Sequence, residues 1–204
     1  MVKLAIPRKA VYRLSLYQRS LQRLKANKVS TVSSAALAKA AGVKPTQLRK
    51  DLTYFGQFGT RGLGYDVEAL SNKLVEALGT TRLQPVILVG VGNLGSALLH
   101  YQGFAKEGFE ILAAFDIEPG KKHHFDIPVL PMGRMREFIR TKKIKMAVLS
   151  VPGTVSQEVA NELVAAGIQG ILNFSTIILQ VPDGVVVNNV DLAMELENLS
   201  YFIR

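Results

Sequence analysis

The sequence predicts an α/β chain in three parts: a helical domain with a glycine-rich wing over residues 1–80, a doubly wound parallel sheet over 85–188, and a C-terminal helix over 189–204. Three observations carry that reading. Excess positive charge is confined to the first part, a glycine pattern follows an apolar run that begins at residue 86, and strand-length apolar runs then alternate with helical stretches.

The net charge is +9, yet residues 1–84 hold 15 Lys+Arg against 4 Asp+Glu, while residues 85–204 hold 10 against 12. Such a basic segment suits a polyanion, because Lys and Arg on phosphates supply most sequence-independent affinity for nucleic acid. Charge alone also fits a solvated surface with no partner. The absence of Cys excludes disulfides, thiolate nucleophiles and Cys-based zinc sites. Only three His are present, at 100, 123 and 124, and no metal site is expected. No apolar run reaches the roughly 18 residues of a membrane span. The opening MVKLAIPRKA turns polar too early for a secretory signal, so the expected location is the cytoplasm.

In the first part, Val11, Leu14, Tyr17, Leu21 and Leu24 recur at steps of three and four, the period of one helix face. Val29 to Val32 is β-like. Ser33 or Ser34 can cap the short helix AALAKAA, which Gly42 stops. After a turn over Val43 to Pro45, TQLRKDLTYFG is expected to run as a second helix to Gly56. A short helix, a glycine turn and a second helix form a helix-turn-helix, in which the second helix enters the major groove by its N-terminal end. Lys44, Thr46, Gln47, Arg49 and Lys50 are therefore the candidate DNA contacts, with Leu48, Leu52 and Phe55 facing inward. GQFGTRGLGY, residues 56–65, has four glycines and Arg61 and reads as a hairpin wing that carries a cation toward a minor groove. Spacing alone equally fits a helical subdomain that touches no DNA. Charge and wing favour a winged helix. Residues 66–79 read as a further amphipathic helix, and GTTRLQP as the linker.

In the second part, VILVGVGNLGSALLHY runs from a buried strand through Gly90, Gly92 and Gly95 into a helix. This is the dinucleotide fingerprint in its required setting: the first glycine makes the tight turn, the second admits the pyrophosphate, and the third lets helix and strand pack closely. Val91, Asn93 and Leu94 complete the loop, whose N–H groups face the phosphates. The strand EILAAFD ends in Asp116, 21 residues beyond Gly95, where a ribose-binding acid belongs. Its charge favours NAD(H) over the 2′-phosphorylated coenzyme, although Lys121 and Lys122 stand nearby. A fold of this kind that binds no ligand, or another nucleotide such as coenzyme A, is the alternative.

Further strands are expected at 146–151, 171–174 and 185–188, with Thr154 and Gln157 as a capping box for the helix that ends at Ala166. Ligands sit outside the carboxyl ends of such strands, where Val151, Pro152, Asn173, Phe174 and Ser175 fall. In the tail, Leu192, Leu196, Leu199 and Ile203 share a stripe, with Met194, Tyr201 and Phe202 beside it. That apolar surface is covered either by its own domain or by a second subunit. Two-fold DNA sites favour a homodimer.

A dehydrogenase requires an acid or base beside the nicotinamide, and none stands out. Tyr101, six residues after the glycine loop, is the nearest candidate, without a Lys or Ser motif beside it. A small NAD-dependent oxidoreductase and a nucleotide-gated protein without a DNA target remain the competing readings.

Over essentially its full length the chain resembles the Rex family of redox-sensing transcriptional repressors, through TQLRKDLTYFG, FGTRGLGY, GVGNLGSAL, AFD, LSVP, AAGIQGILNF and NNVDLAMELENLSYF. The resemblance implies a homodimer with an exchanged C-terminal helix that binds operator DNA when NADH is low and leaves it when NADH rises, with NADH and NAD⁺ as ligands. It also implies a switch: Tyr101 near the nicotinamide, Asp191 contacting it or an arginine, and Arg19 as that arginine. Where some members carry Phe after the tail aspartate, this chain has Leu192. Oxidised nicotinamide is cationic and the reduced ring is not, so an apolar pocket built by Leu192 and its neighbours penalises NAD⁺. Moving an equilibrium from 1:99 to 99:1 takes about 5.5 kcal/mol of differential binding.

Overall fold

A computed structural model of the chain describes residues 6–56, 58–59, 63–120 and 125–203, in two compact units, Met1–Arg82 and Leu83–Arg204. Arg61, Lys121, Lys122, His123 and His124 lie outside the described residues.

The first unit begins with α1, Arg8–Ala26. Its buried stripe is Ala10, Leu14, Tyr17 and Leu21, with Leu24 packed at the margin, whereas Val11 is 41% exposed. The expected face is thus rotated by one residue at its start, where Ala10 is buried in place of Val11. Strand β1, Thr31–Val32, leads to α2, Ser34–Ala40, whose first turn is capped by the Ser33 hydroxyl accepting from Ala36 N–H. At its other end, Gly42 at φ +69° lets Val43 N–H reach Ala38 O and its own N–H reach Lys39 O. This pair of bonds closes a helix with a left-handed residue and sets the sharp turn. Helix α3, Pro45–Thr53, follows with proline in its first turn. It ends before Gly56: Tyr54 and Phe55 leave the helix so that Phe55 packs on the cluster formed by Leu14, Tyr17, Leu37, Leu48 and Leu52. Strand β2, Tyr65–Asp66, pairs antiparallel with β1. The described ribbon therefore pairs the end of the 56–65 segment with the strand before α2, while residues 57 and 60–62 of the expected wing lie outside the described residues. Asp66 caps α4, Val67–Leu78, by accepting from Ala69 N–H. α4 lies against α1, where Gln18 donates to Ser71 Oγ at 3.0 Å.

In the second unit, β3 (Gln84–Val89), β4 (Phe109–Asp116), β5 (Val129–Pro131), β6 (Met146–Leu149), β7 (Gly170–Asn173) and β8 (Val186–Asn189) form one parallel sheet in the order β5-β4-β3-β6-β7-β8. Counted from the first strand of this sheet, that is 3-2-1-4-5-6, the order of doubly wound dinucleotide-binding folds. Its winding reverses between β3 and β6, so the crevice for a ligand opens at the carboxyl end of β3. Helices α5 (Asn93–Leu99), α6 (Gly103–Lys106), α7 (Met135–Lys142) and α8 (Gly153–Ala166) connect the strands. One sheet face, with Ile87, Val89, Phe115 and Ile171, is buried by Met135 and Ile139 of α7 and Ala160 and Leu163 of α8. The other, with Leu88, Ala114 and Val148, is backed by Leu98 and Leu99 of α5.

The capping box expected at α8 does not form. Pro152 occupies the N-cap without a side-chain bond, and Gln157 instead clasps Gln180, donating to its O and accepting from its N–H, both at 2.9 Å. α9, Leu192–Phe202, buries none of its residues.

Candidate functional site

On α3 the structure places Lys44, Thr46, Arg49 and Lys50 at the exposed surface, with Leu48 and Leu52 turned into the core. Arg49 is not wholly unattached: its Nη1 donates to Ser34 Oγ at 2.9 Å, which holds the guanidinium across the start of α2. Gln47 is half-buried, and its Nε2 donates to Asp51 Oδ1 at 2.8 Å.

Asp51 is the residue that pattern reading missed. It is 1% exposed, yet it sits one turn along a helix otherwise rich in cations. Its carboxylate receives Arg13 Nε at 2.5 Å and Nη2 at 2.7 Å, the Tyr17 hydroxyl at 2.7 Å, and Gln47. Burial works against its charge, but the bonds from Arg13, Tyr17 and Gln47 outweigh it and hold the carboxyl below its ordinary range. The bond to Asp51 raises the Arg13 pKa, and burial followed by the bond to Asp51 raises that of Tyr17. A signal existed in the sequence: Asp51 falls four residues after Gln47, on the same helix face as Leu48, where a lone carboxylate needs a cation.

In the second unit, the loop after β3 shows three glycines in three situations. Gly90 is left-handed at φ +93°, and a Cβ there would stand 2.6 Å from Ser150 O. A Cβ on Gly95 would stand 1.9 Å from Gly90 O. A Cβ on Gly92 would meet nothing within 4 Å. Two positions are closed by the protein's own backbone, and the third faces open space, at the position where the fingerprint expects a pyrophosphate to approach. Asn93 and Leu94 begin α5 beyond it.

Asp116, at the end of β4, accepts from Val91 N–H at 2.6 Å and from Glu118 N–H at 2.9 Å. A carboxylate has about four acceptor positions, so two remain for ribose hydroxyls. Ser150, after β6, was also missed; its hydroxyl donates to Gly90 O at 2.8 Å and fastens the loop to the neighbouring strand. Asp116→Ala removes the loop anchor together with the candidate ribose acceptor. NADH affinity is expected to fall roughly tenfold to a hundredfold, with weaker discrimination against NADPH, in a nucleotide fluorescence titration. A wild-type profile would take Asp116 out of the site.

Val151, Pro152 and Phe174 lie at the carboxyl ends of the strands, with Val151 and Phe174 half-buried and Pro152 exposed. Asn173 is different. It is fully buried, and its amide donates to Ile177 O and Asn189 Oδ1 and accepts from the backbone N–H and hydroxyl of Ser175. Every polar position of this side chain is taken, so it forms a clasp between β7, β8 and the following loop. Tyr101 is 60% exposed, lies edge-on to Phe104, and stands directly over Gly103. Asp191 caps α9 by accepting from Ala193 and Met194 N–H, and Leu192 beside it is 61% exposed. Arg19 is on the exposed side of α1. Among the described residues there is no His, Asp or Glu cluster able to hold a metal ion.

A basic helix-turn-helix unit joined to a parallel sheet with a nucleotide-loop crevice defines a ligand-responsive DNA-binding regulator. Residues 5–53 match the family model "Putative DNA-binding protein N-terminus", and residues 81–177 match "CoA binding domain". The redox-sensing transcriptional repressor Rex of Carboxydothermus hydrogenoformans is 44% identical over 202 residues, covering 98% of this chain and 97% of that relative. Its counterpart in Streptomyces coelicolor is 46% identical over 198 residues, covering 96% of this chain and 77% of that relative. Among solved structures, RSP in complex with β-NAD⁺ and operator DNA matches with a TM-score of 0.90 at 39% identity, covering 97% of this chain and 92% of that one. RSP with β-NADH matches at 0.86 and 38%, covering 98% and 94%. The chain belongs to the Rex family of redox-sensing transcriptional repressors.

Proposed function

We propose that this protein is a homodimeric repressor that holds a two-fold operator when NADH is scarce and releases it when NADH binds the crevice after β3. The observation that carries this reading is the full-length match to RSP, solved with operator DNA and β-NAD⁺ and also with β-NADH. The nicotinamide is sensed rather than turned over, a reading supported by the relatives at 44% and 46% identity, which are named transcriptional repressors. Coenzyme A, for which one matched family model is named, carries a phosphate on its ribose, and the Asp116 carboxylate opposes a phosphate there. NAD(H), with a free ribose diol, suits it.

Each copy leaves Leu196, Leu199, Tyr201 and Phe202 of α9 more than 60% exposed. A second copy that covers this helix buries those side chains and places Leu192 against a partner's nicotinamide. Tyr101, Asp191 and Arg19 are the candidate residues for connecting ligand state to the DNA-binding units. No helix among the described residues is long and apolar enough to cross a membrane. A repressor acts where its DNA is, in the cytoplasm.

Lys50→Ala tests the DNA-binding half. A lysine on a phosphate adds about 0.9 to the slope of log affinity against log salt. The variant is expected to bind more weakly on every duplex, with a slope reduced by about that amount and unchanged NADH affinity. Arg49→Ala is expected to weaken the operator more than random DNA. Wild-type binding in both variants would remove α3 from the DNA, and steady NADH turnover with carbonyl substrates would favour an oxidoreductase.

A further inference from the structure

The contact between Gln47 and Asp51 bears on what the reading helix reads. A glutamine amide normally points either way, since its oxygen and nitrogen are alike in size. Here the choice is fixed by chemistry. Asp51 is paired with Arg13 and receives the Tyr17 hydroxyl, so it stays ionised and only accepts. Nε2 of Gln47 must therefore face it, as the 2.8 Å bond shows, and Oε1 takes the other side of the amide.

One N–H is committed to Asp51. The amide retains one N–H donor beside the Oε1 acceptor, and in the major groove this donor–acceptor set matches adenine, whose N6 amino group donates and whose N7 accepts. Guanine presents two acceptors at the same edge and cannot satisfy Oε1. Gln47 is in the first turn of α3, the end that enters the groove, between exposed Thr46 and Arg49.

We propose that Gln47 is a specificity-determining residue that reads one adenine in each half of the operator, with Asp51 as the positioning residue that fixes its amide. The inference rests on the DNA-binding function proposed above. Arg13 and Tyr17 extend the support into α1, so the orientation of a base-reading side chain is set from the core of the unit.

The test uses the full-length protein and a library of two-fold DNA duplexes with randomised half-sites. The wild type, Gln47→Ala, Gln47→Met and Asp51→Asn are each selected on the library, and preferences are then measured duplex by duplex. The wild type is expected to require A·T at one position per half-site, with a loss of roughly tenfold to a hundredfold for G·C there. Both Gln47 variants are expected to lose that preference and keep the rest. Asp51→Asn offers an amide in place of an obligate acceptor, so Gln47 can turn over. Its preference is expected to relax at the same position, which a purely structural role would not produce. NADH affinity, measured alongside, stays at the wild-type value in the Gln47 variants. A uniform loss across all positions, or a lost preference for guanine, overturns the inference. Failure of the wild type to select any duplex overturns the DNA-binding function instead.

Discussion

Gly92→Ala is expected to leave the stability of the folded protein within about 1 kcal/mol of wild type, since a methyl group there meets nothing and φ is −72°. The same change is expected to prevent release from DNA by NADH. The methyl group fills the space that a pyrophosphate needs against the loop, so NADH affinity falls by at least tenfold and the operator stays bound at NADH concentrations that clear the wild type. Gly95→Ala provides the contrast. Its methyl group would stand 1.9 Å from the Gly90 carbonyl oxygen, a backbone atom with no rotamer to change, and that oxygen is also bound by the Ser150 hydroxyl, which would itself stand 3.1 Å from the methyl group. Overpacking of this kind costs roughly 1–3 kcal/mol and sometimes more. Thermal melting together with an NADH titration separates the two variants. Equal loss of stability in both, or NADH release by Gly92→Ala at the wild-type concentration, would contradict the roles given to these glycines.

Asp51→Ala is expected to be among the most destabilising substitutions in the first unit. It leaves the Arg13 guanidinium, whose side chain is 22% exposed, without its carboxylate, and deprives the buried Tyr17 hydroxyl of its acceptor. Removing one partner of a buried ion pair costs about 3–5 kcal/mol, and partial exposure of Arg13 places this case near the lower figure. In a unit of this size that corresponds to a fall in melting temperature of about 12–24 °C. Hydrogen exchange over residues 8–78 assigns the loss to this unit. Because the folded pKa of Asp51 is lowered, its contribution is complete above the ordinary aspartate value of about 3.9 and is lost as pH falls through the lower folded value. Tyr17 behaves oppositely: its raised pKa keeps the hydroxyl bond intact below about 10 and loses it only as pH rises through the folded value. The stability difference between wild type and Asp51→Ala is therefore expected to be constant across neutral pH and to shrink in strong acid. A melting temperature within 2 °C of wild type at neutral pH would refute the role of the cluster, since even ~1 kcal/mol moves it further.

Where a signal was local, the sequence was enough. The turn at Gly42, the Ser33 cap and the left-handed Gly90 that opens the glycine loop each depend on a few adjacent residues, and each has the expected backbone geometry. The region between residues 125 and 145 was harder. β5 has three residues, and α7 stops at Lys143, which takes the left-handed conformation at φ +53° that glycine usually marks. Without a glycine the helix end carried no sign. Contacts between distant segments were not legible at all. Arg13 and Asp51 are 38 residues apart, Ser150 and Gly90 are 60 apart, and Gln157 prefers Gln180 to its own helix end. Period and capping rules see one segment at a time, whereas these bonds exist only once the fold brings the segments together. Asn173 is a further case, since the sequence places it at a strand end but gives no sign that its amide is fully bonded within the fold.

Operator binding measured while the NADH to NAD⁺ ratio is varied at constant total nucleotide tests the whole account most directly. The fraction of DNA bound is expected to fall steeply as the reduced form replaces the oxidised one, and to stay high with NAD⁺ alone. Equal binding at both ends of the titration would contradict it.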